Sequence, residues 1–295
     1  MTRKFSRVFA LTAALALTLG LAACSSGTTA ATAPASTTAA ASATATPSTD
    51  VKQLTVTPGK LTIATGKPAY SPWVEDDKPE SGKGFEAAVA YAVAAKLGFT
   101  TDEVVWKRTT FDEAVAPGAK DWDFNLQQFS ITDQRKKAVD FSSSYYTTSQ
   151  AVLTYKGSPI AGATSLAGLL DAKLGATVGT TSLNALNTLI APTTKAAIYN
   201  SNEDAVLALK SKQIEGLVVD LPTALYLAAA EIDNGVIIGQ LADTTGGDQF
   251  GLVLQKGSAL TAPVTAAVDA LTADGALAAL QKTWLSESIK VPVLA

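Results

Sequence analysis

Residues 128–146 read QFSITDQRKKAVDFSSSYY. Arg135 stands between two groups of small hydroxyl side chains, at the start of a predicted short helix. Because a guanidinium group is a planar fork of N–H donors, an arginine among neutral donors is suited to hold a carboxylate. An exposed surface arginine is the ordinary alternative, and the other segments of the chain must distinguish the two.

The chain begins MTRKFSRVFALTAALALTLGLAAC, with three basic residues before an apolar run from Val8 to Ala23. The run is shorter than the roughly 20 residues of a membrane span, and it predicts an export signal over residues 1–23. The ending LAAC at residues 21–24 is similar to the lipobox of bacterial lipoproteins, in which the cysteine is diacylated. We therefore predict that Cys24 is lipidated; an uncleaved anchor with an incidental cysteine is the alternative.

Cys24 is the only cysteine, and the chain has no histidine. These counts exclude a disulfide, a zinc ribbon or a thiol nucleophile in the folded part, and Ser-His-Asp or Cys-His catalysis. Only carboxylates and carbonyls remain as metal ligands, and we expect no metal or cofactor. Loss of the three basic residues in the signal leaves 20 basic and 26 acidic residues, a net charge of −6. This charge argues against nucleic acid as a partner.

Residues 25–49 contain only Ser, Thr, Ala, Gly and Pro. Such a segment has nothing from which to build a core, so residues 24–50 are predicted to be the lipidated cysteine and a flexible tether. A flexible coil of this length spans about 25–30 Å. The tether would hold a folded domain just clear of a membrane.

From Val51 onward, short apolar segments alternate with helix-like segments. The predicted strands are Leu61–Ala64, Val104–Trp106, Phe124–Leu126, Gln150–Tyr155, Lys173–Val178, Gly216–Val219 and Phe250–Gln255. The predicted helices are Phe85–Leu97, Ser182–Ile190, Asn202–Lys210, Pro222–Ala230 and two between Thr261 and Leu285. This alternation predicts an α/β fold, and its length suffices for one large domain or two lobes.

Polar residues follow the ends of two further predicted strands. Residues 178–182, VGTTS, lead from a strand into a helix start, where backbone N–H groups and hydroxyls can bind an anion. The alternative is that Thr181 only caps the helix. Asp220 ends a buried strand, at the edge where α/β sheets bind ligands, and capping of the helix that starts near Pro222 is the alternative there.

Two aromatic residues are candidates for the wall of a ligand site. Tyr70 lies in a loop, KPAYSPW at residues 67–73, that two prolines stiffen. Phe111 follows the predicted strand that contains Trp106. A loop aromatic outside a regular packing position is a better candidate for ligand contact than one in a core.

In order and spacing, these segments resemble the periplasmic polar-amino-acid-binding proteins of ABC importers, solute-binding protein family 3. The resemblance runs from about Gln53 to Leu285. It is carried by GFE (84–86), KLG (96–98), SITDQR (130–135), VDFS (139–142), YY (145–146), GTT (179–181), VD (219–220) and residues 271–284. It implies a two-lobed, type II periplasmic-binding-protein-like fold with a two-strand hinge.

The resemblance also implies roles for individual residues. Arg135 falls where family members hold the α-carboxylate of the ligand, and Asp220 where an acid takes the α-ammonium. The hydroxyls of Ser130 and Thr181 would complete the carboxylate site. Tyr70 and Phe111 fall where two aromatic rings enclose the aliphatic part of the ligand.

Three residues depart from the family pattern and bear on selectivity. Lys67 stands where members that bind cationic amino acids carry an acid, so it should disfavour a cationic side chain. Gln127 and Gln128 replace small hydroxyl residues beside Ser130, and Gln128 is a candidate ligand contact. Two amides offer both donors and acceptors and occupy more room.

The implied organisation is a first lobe of residues 51–147 plus 246–295 and a second lobe of residues 148–245. The chain would cross between them near residues 147–148 and 245–247. A bound polar amino acid would bridge the lobes, and an ABC permease would recognise the closed form. We expect a monomer, lipid-anchored on the extracytoplasmic face of the bacterial membrane.

Two other functions stay open at this point. The first is an amino-acid-sensing lipoprotein that signals to a partner, which the sequence does not separate from a transport protein. The second is a dehydratase-like enzyme on the same fold, for which Glu75, Asp76 and Asp77 are the nearest candidates as a general acid. Consecutive loop acids before a lysine are more typical of a solvated surface, so we expect a binding protein and not an enzyme.

Overall fold

The computed structural model describes residues 50–242, 246–285 and 290–295. The predicted export signal, Cys24 and all of the tether except Asp50 lie outside these residues and stay predictions. In the described part of the chain, no single helix has the length and apolar character to cross a membrane. The helices Thr261–Ala273 and Ala276–Trp284 are long and apolar enough only when they are counted together, and the chain bends by 76° between them.

The described residues form two sheets. Their strands, numbered in chain order, are β1 (Leu61–Gly66), β2 (Val104–Thr109), β3 (Phe124–Asn125), β4 (Val139–Thr148), β5 (Gln150–Tyr155), β6 (Leu174–Thr177), β7 (Ala197–Tyr199), β8 (Gly216–Asp220), β9 (Gly235–Leu241), β10 (Asp248–Gln255) and β11 (Val293–Leu294).

Helices connect most of these strands. The α-helices are α1 (Phe85–Lys96), α2 (Phe111–Val115), α3 (Thr181–Ala185), α4 (Asn202–Lys210), α5 (Leu221–Tyr226), α6 (Thr261–Ala273) and α7 (Ala276–Trp284). A π-helical turn continues α3 over Leu186–Ile190, and a second one continues α5 over Leu227–Glu231. Arg135–Lys137 form a short 3-10 helix.

The first sheet has the strand order β2-β1-β3-β10-β4. β1 is parallel to β2 and β3, so a crossover is needed between β1 and β2, and α1 supplies it. Gly84 precedes α1 with a φ of 99°, and a Cβ at this position would lie 2.5 Å from the Trp73 carbonyl oxygen. Glycine therefore allows the loop that carries Trp73 to pack against the start of α1.

The second sheet has the strand order β11-β9-β5-β8-β6-β7. β5 is antiparallel to β8 and β9, whereas β6 is parallel to β7 and β8. β6 ends at Thr177 and β8 ends at Asp220. The carboxyl ends of these two parallel strands therefore lie at the same edge of the sheet, the position at which α/β proteins bind ligands.

Each sheet is the centre of one lobe and is covered on both faces. In β10, the neighbouring residues Leu252 and Val253 belong to different buried clusters, because successive side chains of a strand point to opposite faces. Val152 and Leu153 of β5 do the same in the second lobe. The fold is thus the predicted two-lobed α/β arrangement.

The chain passes from the first sheet to the second between Thr148 and Gln150, and it returns between Leu241 and Asp248. These crossings fall near the predicted ones, at residues 147–148 and 245–247. Residue 245 lies outside the described residues. The structure differs from the predicted lobe boundary at the C-terminus, because β11 pairs with β9 and extends the second sheet. The other lobe boundaries stay predictions.

Most predicted elements occur, and their ends differ by a few residues. The strand Gln150–Tyr155 and the helix Asn202–Lys210 are confirmed with their predicted bounds. The predicted helices from Ser182 and Pro222 are each an α-helix continued by a π-helical turn. Strands β4, β7, β9 and β11 were not predicted.

Candidate ligand-binding site

A cavity of about 170 Å³ lies between the lobes at the carboxyl edge of β6 and β8. All nine residues predicted for ligand contact or selectivity line it. They are Lys67, Tyr70, Phe111, Gln127, Gln128, Ser130, Arg135, Thr181 and Asp220. The structure therefore brings residues from distant segments to one place, and their contacts with a ligand stay a prediction.

Arg135 is half-buried and reaches from the first lobe to the second. Its Nη1 donates a hydrogen bond to the Ser130 carbonyl oxygen (2.7 Å), and its Nη2 donates to the Gly179 carbonyl oxygen (2.9 Å). A guanidinium group has five N–H donors, so these bonds leave donors for a ligand. Burial lowers the pKa of Arg135, and the negative charge of Asp248 opposes this effect. The side chain is thus a held cation and not a free surface arginine.

A hydroxyl pair closes the cavity beside this arginine. The Oγ of Ser130 lies 3.1 Å from the Oγ1 of Thr181, which belongs to the other lobe. The alternative that Thr181 caps α3 is wrong, because Thr180 is the capping residue and its Oγ1 accepts the Leu183 N–H (3.1 Å). The Thr181 hydroxyl is therefore available to the cavity.

Asp220 caps α5, as its alternative interpretation states, and lines the cavity as well. Its Oδ1 accepts the Thr223 N–H (3.2 Å), and its Oδ2 lies 3.0 Å from the Thr223 hydroxyl. The Asp220 side chain is partly exposed, but its carboxylate is surrounded by protein atoms. This burial raises the pKa of Asp220 to about 6 against the hydrogen bonds from Thr223, which lower it. Capping and ligand binding are compatible, because a carboxylate has about four lone-pair sites.

The two predicted aromatics lie at the cavity wall. Phe111 starts α2, packs on Phe129 with ring centroids 4.8 Å apart, and has the guanidinium carbon of Arg135 5.0 Å from its ring centroid. This distance is within the range of a cation–π contact. Tyr70 is half-buried, and burial together with the charge of Glu203 raises its pKa.

Gln128 is held in place by a buried acid that was not predicted to belong to the site. Its backbone has a φ of 51°, and its N–H donates to the Glu86 carboxylate (2.8 Å). The side-chain amide of Gln128 and the Tyr145 hydroxyl donate to the same carboxylate. Glu86 is only 1% exposed, and burial raises its pKa to about 7. The position of Glu86 in the GFE segment was the available signal.

Two buried amide oxygens near the cavity accept no hydrogen bond within the described part of the chain: Oε1 of Gln127 and Oε1 of Gln150. Gln150 was not predicted as a site residue; its Nε2 donates to Asp248 (2.6 Å) where the two crossing segments meet. A buried acceptor without a donor costs about 1–3 kcal/mol. Both glutamines line the cavity, so an N–H donor there would be favourable.

Lys67 lines the cavity with an exposed side chain. Its positive charge also lies near Glu113: the hydrogen bonds from Thr110 lower the pKa of Glu113, and Lys67 contributes to the same shift. Solvent and this carboxylate both screen the lysine. Its effect on a ligand charge should therefore be smaller than the sequence pattern suggests.

The loop acids weighed for catalysis lie in other surroundings. Asp77 pairs with Arg108 and accepts the Ala69 N–H (2.8 Å). Glu75 accepts the Ser71 hydroxyl (3.1 Å), and Asp76 is exposed. None of the three lines the cavity that contains Arg135 and Asp220. The described residues contain no group of three or more acids that could hold a metal ion.

Comparison with known proteins identifies the family of the chain. Residues 61–287 match the family described as bacterial extracellular solute-binding proteins, family 3. A probable histidine-binding protein of Campylobacter jejuni is 30% identical over 204 residues, 66% of this chain and 73% of that protein. The ABC transporter glutamine-binding protein GlnH of Bacillus subtilis is 28% identical over 214 residues, 71% of this chain and 76% of that protein. The solved structure of an ancestral arginine-binding protein bound to glutamine is 29% identical, with a TM-score of 0.64 over 77% of this chain and 97% of that one.

Proposed function

The chain belongs to the bacterial extracellular solute-binding proteins of family 3, and we propose that it captures one polar amino acid between its lobes for an ABC importer. Arg135 would bind the α-carboxylate and Asp220 the α-ammonium. Ser130 and Thr181 would donate further hydrogen bonds to the carboxylate. The relatives named for histidine and glutamine binding support an amino acid as the ligand class.

One observation carries this proposal: the cavity contains a cation and a carboxylate, and neither forms a direct ion pair with another side chain of the described residues. None of the ion pairs within residues 50–242, 246–285 and 290–295 includes Arg135 or Asp220. An enclosed charge without a partner is costly. In a zwitterionic α-amino acid, the carboxylate and the ammonium group are bonded to the same carbon atom. The carboxylate would pair with Arg135 and the ammonium group with Asp220.

The remaining features of the cavity bear on the ligand's size and side chain. A volume of about 170 Å³ is below the roughly 300–1,000 Å³ of pockets for drug-sized ligands, which favours a single amino acid. Its side chain would lie between Tyr70 and Phe111. The unpaired oxygens of Gln127 and Gln150 favour a side chain with N–H donors, and Lys67 disfavours a positive charge. A neutral, amide-bearing amino acid satisfies both conditions.

Binding would be coupled to lobe closure. Arg135 belongs to the first lobe, whereas Thr181 and Asp220 belong to the second, so a ligand contacts all three only when the cleft is closed. Differential contact of this kind shifts the population toward the closed form. A membrane permease would then recognise the closed surface, and no catalytic step is required.

We further propose that Cys24 carries a lipid that keeps the protein at the extracytoplasmic face of the membrane, as a monomer. The tether over residues 25–49 would let the lobes reach a permease. A sensing lipoprotein would have the same cavity and anchor. Genes for a permease and an ATPase beside this gene would favour transport, and a signalling protein there would favour sensing.

A thermal-shift screen against the proteinogenic amino acids, followed by calorimetric titration, tests the proposal. A ligand at 100 times its Kd adds about 2.7 kcal/mol to the free energy of unfolding, which is easily measured. We expect at least one polar amino acid to bind with one-to-one stoichiometry. Failure of every amino acid to shift the transition or release heat would refute the proposed function.

A further inference from the structure

A second polar link crosses the cleft beside the proposed ammonium site. Trp73 belongs to the first lobe, and its Nε1 donates a hydrogen bond to the Oγ1 of Thr223 in α5 of the second lobe (3.0 Å). Both residues are buried, Trp73 at 1% and Thr223 at 7% exposure. Neither residue was singled out as a site residue from the sequence.

The direction of the hydrogen bonds is fixed by their chemistry. An indole N–H can only donate, so the Thr223 oxygen accepts from Trp73. The single Thr223 proton then points at Oδ2 of Asp220, 3.0 Å away. An ordered chain of donors therefore runs from the first lobe, through one hydroxyl of the second lobe, to the carboxylate proposed to hold the ligand ammonium.

The indole is held firmly at the first-lobe end. Its ring packs against Phe85, Tyr146 and Phe250, with centroids 5.7–6.0 Å apart. The Trp73 carbonyl oxygen accepts the Glu86 N–H (2.9 Å), which holds the backbone of the same loop at the start of α1. Opening of the cleft would therefore carry the donor away from Thr223, and closure would return it to the same position.

We propose that Trp73 is a positioning residue that acts through Thr223 to orient Asp220 when the lobes close. This inference rests on the proposed function, because it assumes that Asp220 binds the ligand. In the closed form, the hydroxyl of Thr223 is polarised by the indole N–H and donates to Asp220, which keeps the carboxylate ionised and aimed at the cavity. In the open form, Trp73 no longer donates to Thr223, whereas the hydrogen bonds from Thr223 to Asp220 lie within the second lobe and remain.

The test uses the amino acid that binds the wild type best and three variants. Trp73→Phe removes the N–H donor and keeps an aromatic ring, Thr223→Val removes the hydroxyl, and Thr223→Ser retains it. Trp106→Phe is the matched control, because its Nε1 donates to Tyr91 within the first lobe (3.1 Å) and does not cross the cleft.

We expect Trp73→Phe to weaken affinity about 3- to 10-fold, the range for one buried hydrogen bond. Thr223→Val should weaken it more, because it removes the hydroxyl's bonds to both Trp73 and Asp220. The loss of affinity should appear as faster dissociation of the ligand, because the Trp73–Thr223 hydrogen bond exists only in the closed form. Thr223→Ser and Trp106→Phe should stay within about twofold of the wild type. In the double variant Trp73→Phe with Thr223→Val, the losses should be less than multiplicative, since both remove the same link.

The pH dependence of binding separates positioning from a merely structural role. The Thr223 hydrogen bonds lower the pKa of Asp220, so Thr223→Val should move the acidic limb of the binding curve to higher pH, and Trp73→Phe should move it in the same direction by less. Unchanged affinity and an unchanged limb in both variants, with wild-type binding intact, would overturn this inference and leave the proposed function standing. Absence of binding by the wild type would instead refute the proposed function.

Discussion

Replacing Arg135 by alanine should nearly abolish amino-acid binding while the fold survives. The substitution leaves the ligand carboxylate buried without a partner, a loss that typically costs about 2–5 kcal/mol. This corresponds to roughly 30- to several-thousand-fold in affinity. The hydrogen bond from Nη2 to the Gly179 carbonyl oxygen (2.9 Å) is lost as well, so closure itself is weakened by about 0.5–1.5 kcal/mol.

Arg135→Lys separates charge from geometry. A lysine keeps the positive charge but cannot donate at once to Ser130, to Gly179 and to a carboxylate in one plane. Its contact with the Phe111 ring would also change. We therefore expect this variant to bind at least 10-fold more weakly than the wild type.

Calorimetric titration measures the affinity, and circular dichroism verifies folding. Lys137→Ala is the matched control, because Lys137 lies in the same 3-10 helix and is exposed. Among the described residues, its side chain makes only a long contact with Gln134 (3.4 Å). It should bind like the wild type. If Arg135→Ala binds the wild-type ligand within about threefold, well under 1.4 kcal/mol, Arg135 does not hold the carboxylate and the assignment of the site is wrong.

Three further predictions concern pH, selectivity and the anchor. The pKa of Asp220 is raised to about 6, so affinity for the ligand should fall about tenfold per pH unit below pH 6 and stay constant above pH 7. Calorimetric titration from pH 4.5 to 8 measures this dependence. An affinity that stays constant down to pH 4.5 would contradict it. The same raised pKa means that the folded state binds the proton more tightly, so this group's contribution to the free energy of unfolding of the ligand-free protein falls as pH rises from about 4 to 6. Lys67→Gln should improve binding of lysine or arginine by no more than about fivefold, since an exposed charge acts through water with about 1 kcal/mol at 4 Å, and a gain of 100-fold would mean that Lys67 points into the cavity. Cys24→Ser should abolish labelling by a radioactive fatty acid, and equal labelling of both proteins would refute the predicted lipidation.

Part of the cavity lining was predictable from the sequence because short motifs mark the ends of strands. Thr181 and Asp220 each come shortly after an apolar segment, and the topology of α/β sheets brings such positions to one edge. Arg135 follows polar residues, and the family resemblance was what placed it at the site. Their partners were not predictable in the same way. Thr180 and Thr181 are chemically identical neighbours, and only the backbone at the helix start decides which one caps and which one faces Ser130.

Long-range pairing accounts for the other differences. β4 reads VDFSSSYYTT, and its many hydroxyl side chains interrupt the apolar pattern that would predict a strand. In the structure it pairs with β10 along most of its length. β11 has only two residues, and its pairing with β9 depends on where the second sheet leaves an open edge. Trp73 and Thr223 are 150 residues apart in sequence, and no local pattern in either segment indicates the other.

The cleft contains opposing contributions. The links from Arg135 to Gly179, from Ser130 to Thr181 and from Trp73 to Thr223 favour closure, each by about 0.5–1.5 kcal/mol. Burial of the Asp220 carboxylate, which raises its pKa to about 6, opposes holding the negative charge in the closed cleft. A ligand ammonium would pair with this charge, and the ligand carboxylate would accept hydroxyl protons of Ser130 and Thr181 in place of the bond between them, so the links from Arg135 and Trp73 remain. A zwitterion therefore favours the closed form through its contact with Asp220, and the differential affinity that it supplies sets how far the population shifts.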